Sequence, residues 1–144
     1  MITSLRTAFA LFAVFAVASV APVAAQTPSP EGAKVYFINL KDGAEVDSPF
    51  LVQFGLSGMG VAPAGVEKPN TGHHHLLIDT TMTPEQMKEP LPADDNHKDF
   101  GGGQTEAMVT LPKGQHTLQL LLGDWTHIPH EPPVMSEPIT ITVR

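Results

Sequence analysis

Three consecutive histidines, His73, His74 and His75, stand inside the run TGHHHLLIDT at residues 71–80. Side chains alternate across a strand, so His73 and His75 share one side and His74 takes the other. Two imidazoles at i and i+2 can serve one metal ion. Further on, HIPH at 127–130 supplies His127 and His130, and Pro129 stiffens that segment, lowering the entropy lost when both rings are fixed. A Zn²⁺ or Cu²⁺ ion needs about four such ligands. The candidate ligand set is therefore His73, His75, His127 and His130. His74 shares its face with Leu76 and Ile78 and is expected to be buried, with a structural role.

Other groups could complete such a site. Met59 and Met135 carry thioethers, the donor that favours Cu(I). Gln104, Glu106 and Asp124 could bind an ion or orient the rings that do. Trp125, with Phe100, Ile128, Pro129, Pro132 and Pro133, makes the aromatic and proline rim typical of a small-ligand site. A metal-free alternative uses the same residues. The histidines then staple loops by hydrogen bonds, Asp124 caps a turn, and the methionines cover the edge of the core.

These groups need a frame, and the hydrophobic pattern supplies one. Its period is two, as strands require. Strands are expected at 34–40, 50–56, 73–79, 106–111, 116–122 and 137–144, with PKGQ (112–115) as a hairpin turn between the fourth and fifth. TPEQMKEP (83–90) reads as one helical turn, with Thr83 and Gln86 forming a capping box and Pro90 ending it. The segments 57–72 and 91–104 are expected as loops. Six or seven strands with turn residues between them indicate an all-β, immunoglobulin-like antiparallel β-sandwich. If the six strands take the A, B, C, E, F and G roles of that fold, the loops at 57–72 and 123–136 share one pole with His73–His75. His116 falls at the other pole.

The first 25 residues are expected as a signal peptide. Arg6 precedes the apolar run AFALFAVFAVASVAPVAA, and Val23 and Ala25 fit a cleavage site. The remainder divides into a flexible lead-in at 26–33 and a single domain at 34–144, placed in the periplasm or outside the cell. There is no cysteine, so neither a disulfide nor a lipid-modified cysteine is available. The formal charge is −7 and no basic cluster occurs, which opposes binding to nucleic acid. No nucleophile elbow, dinucleotide fingerprint or phosphate loop is present, so no catalytic residues are assigned.

The segments FGLSGMGVAPAG, TGHHHLLID, FGGGQTE, LPKGQHTLQLLLGD, HIPHEPPVMS and the final ITITV together resemble the bacterial family called domain of unknown function 4399, over about 34–144. The resemblance implies a small exported β-rich domain and brings no catalytic or metal assignment with it. One position departs from the pattern. Asp99 stands before FGGGQTE, where an aromatic or histidine is expected; if that position belongs to the site, Asp99 makes the pole more acidic. The resulting expectation is an exported accessory protein binding a divalent metal such as Cu or Zn. The alternative is a metal-free module that binds a small ligand or protein partner through the same loops.

Overall fold

A computed structural model describes residues 25–144. The expected signal peptide lies outside the described residues, apart from Ala25. Nine strands are formed among the described residues: β1 (Lys34–Phe37), β2 (Glu45–Val46), β3 (Phe50–Ser57), β4 (Gly60–Val61), β5 (Thr71–Ile78), β6 (His97–Asp99), β7 (Glu106–Val109), β8 (Gly114–Gly123) and β9 (Ile139–Val143). One sheet has the order β1-β3-β7, the other β2-β9-β8-β5-β4, with β6 also paired to β5. The first, second and fourth of the six expected strands thus share one sheet, and the other three share the second. That is the immunoglobulin-like partition.

The two sheets close on one core. From β3, Phe50, Val52 and Phe54 point inward, and they meet Leu76, Leu118, Leu120, Leu122 and Ile141 of the larger sheet. Each fully buried leucine contributes about 1.5–3 kcal/mol from removing its apolar surface from water. Alternation on β5 sends His74, Leu76 and Ile78 into this core. His73, His75 and Leu77 face out.

That outer face is nevertheless covered. Leu77 and Leu121 pack with Leu91, Met82 and Met87, which the segment after β5 folds back over the sheet. The cover contains the expected capping box: Thr83 N donates to Gln86 Oε1 at 2.8 Å, and Gln86 N donates to Thr83 Oγ1 at 3.2 Å. A single 3-10 turn, Gln86–Lys88, follows.

Four expectations are corrected. The PKGQ segment (112–115) does not close a hairpin, because β7 pairs with β3 and β8 with β5 and β9, and Gly114 and Gln115 already belong to β8. The chain crosses between sheets there so that Val109 and Leu118 can both reach the core. The lead-in at 26–33 is fastened rather than free. Gln26 Nε2 donates to the Met87 and Pro129 carbonyls, and Ser29 N donates to Glu131 O. The segment 91–104 contains β6, whose Asp99 stands opposite His75. Finally, two short edge pairings, β2 with β9 and β4 with β5, are parallel.

Among the described residues, no helix is long and apolar enough to cross a membrane.

Candidate metal centre

The outer face of β5 aims two imidazoles at one point. His75 Nε2 lies 2.8 Å from His73 Nε2. Opposite His73 on β8 is Gly123, whose lack of a side chain makes this approach possible. A Cβ at Gly123 would sit 2.7 Å from His75 Nε2, inside contact distance. Across the other edge, Asp99 on β6 presents its carboxylate to the same point. Its Oδ1 is 3.3 Å from His73 Nε2 and 3.6 Å from His75 Nε2.

The third imidazole comes from the loop after β8. Asp124 shapes that turn: its Oδ1 accepts from Thr126 N, Thr126 Oγ1 and Ile128 N at 2.8, 2.7 and 3.0 Å. Thr27 Oγ1 donates to its Oδ2 at 2.6 Å. Burial works to raise the Asp124 pKa, but the bonds from Thr27, Thr126 and Ile128 outweigh it and hold the carboxyl below its ordinary value. Within the turn, His127 adopts φ 67°, a left-handed conformation uncommon for a residue with a Cβ. Its carbonyl accepts from Leu91 N at 2.9 Å. The ring is thereby brought in, with Nδ1 3.1 Å from His73 Nε2 and 3.3 Å from Asp99 Oδ2. Asp124→Ala strands two N–H groups and two hydroxyls and should lower stability by about 3 kcal/mol, read as a lower denaturant midpoint.

His73, His75, Asp99 and His127 each offer one ligand atom, and these atoms lie within 4.8 Å of one another. A tetrahedral ion with ligand bonds of 2.0–2.1 Å has ligand–ligand separations of about 3.3 Å. His73 Nε2 lies 2.8, 3.1 and 3.3 Å from the other three residues' ligand atoms and His75 Nε2 lies 3.6 Å from Asp99 Oδ1, and these four separations straddle that value. Burial, with the nearby His73, His127, His74 and His97, pushes the His75 pKa down to about 3. His73 is also lowered, chiefly by burial and against the pull of Asp99 and Asp124. Both rings are therefore neutral near pH 7, the form in which a lone pair is free to bind a cation. The arrangement is short of protons to share. Among the described residues, the buried Asp99 Oδ1 accepts no hydrogen bond and the Nδ1 atoms of His73 and His75 have no partner. Packing, rather than second hydrogen bonds, orients these two rings.

His130 does not join the group. The chain bridges back at Gly123–Pro129, and the His130 ring passes to the inner side of β5. There its Cε1 lies 2.9 Å from where a Gly72 Cβ would be, and its Nε2 is 3.1 Å from Thr71 O. Three residues of loop thus place His127 and His130 on opposite faces of one strand. His74 lies in the core as expected, its ring 5.1 Å from that of Phe54, with its pKa lowered to about 4 by burial and by His73.

The remaining candidates also fall elsewhere. Met59 packs against the core and Met135 is exposed. Glu106 is on the smaller sheet, where its carboxylate accepts from Gln53 Nε2. Gln104 is exposed, its side chain beside Gly102. Trp125 is exposed and, with Asp124, Val66, Pro69 and Thr71, lines a cavity of about 230 Å³. His116 sits at the other pole, with Nδ1 2.6 Å from Asp79 Oδ2. Asp99 is the group absent from the expected ligand set. Its only sequence cue was its odd residue type at that position.

Fold and site together define an all-β sandwich with a three-histidine, one-aspartate cluster on the outer face of its larger sheet. The chain belongs to the family described as a domain of unknown function (DUF4399), which matches residues 52–144. No curated protein and no solved structure matches it.

Proposed function

We propose that this chain is an exported accessory protein that binds one divalent transition-metal ion, Zn²⁺ or Cu²⁺, through His73, His75, His127 and Asp99. One observation carries the reading. Three ring nitrogens and a buried carboxylate oxygen without a hydrogen-bond donor converge on one point. A cation satisfies all four at once. Three imidazoles and one carboxylate suit Zn²⁺ and Cu²⁺. Asp99 and Asp124 add negative charge that draws a cation to this pole.

The expected result is one equivalent of Zn²⁺ or Cu²⁺ retained by the untagged domain through gel filtration, measured by elemental analysis. Retention well below one equivalent of both, with no rise in melting temperature, rejects the reading. It would then favour the alternative, in which the cavity beside Trp125 receives a small ligand.

A further inference from the structure

We propose that the ion at this site is cargo, surrendered by associative exchange to an incoming set of nitrogen, sulfur or carboxylate donors on a second metal-binding molecule. The inference rests on the metal-binding reading above and concerns what the site does with its ion.

A structural ion is usually what the fold is built around. Here the fold has its own core, and Val52, Leu76, Leu118, Leu120, Leu122 and Ile141 are each fully buried without any help from the cluster. The four ligands also divide into two unequal pairs. His73 and His75 have side chains 0% and 1% exposed and stand on β5, which is paired along both edges. His127 and Asp99 have side chains 36% and 25% exposed. One sits on a turn in a left-handed conformation, the other ends a three-residue strand paired on one side only. The site is complete in its number of protein ligands but open on one side.

An incoming donor can therefore reach the ion from the side of His127 and Asp99 while His73 and His75 still hold it. A bond from the ion to the new donor forms as the bond to His127 Nδ1 breaks, and Asp99 is displaced by the next donor. The ion keeps its oxidation state throughout. A closed cage behaves differently, because its ion must leave before anything can take its place.

The test is stopped-flow transfer of Zn²⁺ from the loaded protein to excess 4-(2-pyridylazo)resorcinol, over a tenfold range of chelator. The expected rate constant rises in proportion to chelator concentration, and the His127→Ala protein gives up its ion at least tenfold faster. A rate constant independent of chelator, or unchanged by His127→Ala, overturns the inference while leaving metal binding standing. A protein that retains no ion to transfer overturns both.

Discussion

Replacing His75 by asparagine should weaken Zn²⁺ binding at least a hundredfold, while His130→Asn leaves it unchanged. His75 Nε2 is one of four atoms aimed at the ion, 2.8 Å from His73 Nε2. Losing a group that merely orients a ligand typically costs 10- to 100-fold in affinity, so losing a ligand itself sets that range as a floor. His130 turns its ring to the inner side of β5 and takes no part. The pair of variants separates the observed cluster from the four-histidine set that sequence spacing suggests.

Competition against a chelator of known affinity measures the change directly. Melting provides a second measure: Zn²⁺ at a hundred times its Kd stabilises the native state by about 2.7 kcal/mol, or about 10 °C for a domain of this size. His75→Asn at the same Zn²⁺ concentration should gain less than about 1 kcal/mol. Equal affinity in wild type and His75→Asn, or a large loss in His130→Asn, would show that the ion is held somewhere else.

The division of the His73–His75 triplet was legible because a strand's pleat depends on nothing beyond the strand. Leu76 and Ile78 mark which side of β5 is core, and His74 follows them. The six long strands were legible for the same reason, and their partition into sheets followed from one fold template. What could not be read was where irregular chain turns. HIPH is a tight pair of histidines in sequence, yet the left-handed φ at His127 and the bridge at Gly123–Pro129 send its two rings to opposite faces. Asp99 was hidden differently. β6 has three residues and a mixed burial pattern, so it has no periodicity of its own. Its place is fixed by tertiary pairing with β5, where Asn96 also bonds the Ile78 carbonyl. The fastened lead-in is likewise a tertiary effect, since Thr27 and Gln26 find their partners about a hundred residues away.

The metal-free protein should lose stability in acid well before its carboxylates titrate, and His74 should be a leading cause. Buried against Phe54, with neither ring nitrogen partnered among the described residues, it has a pKa of about 4 in the fold against 6.5 ordinarily. Between those values the unfolded chain takes up a proton that the folded chain refuses, so stability rises with pH across this window. The contribution is fully present above pH 6.5 and is lost as pH falls toward 4, where the loss reaches about 3 kcal/mol. His75, pushed down to about 3, acts in the same direction. His116 acts oppositely, because its bond to Asp79 raises its pKa. Its stabilisation is complete below 6.5 and fades as pH rises through its folded pKa, so it recovers only part of the acid loss. His74→Leu fills nearly the same volume without a titrating ring. It should reduce the difference in unfolding free energy between pH 7 and pH 4 by about 3 kcal/mol, measured by urea denaturation of the chelator-treated protein. At pH 7 it should be neutral or stabilising, since it removes two unpartnered polar atoms from the core. If the variant loses as much stability as wild type between pH 7 and pH 4, the acid sensitivity does not come from His74.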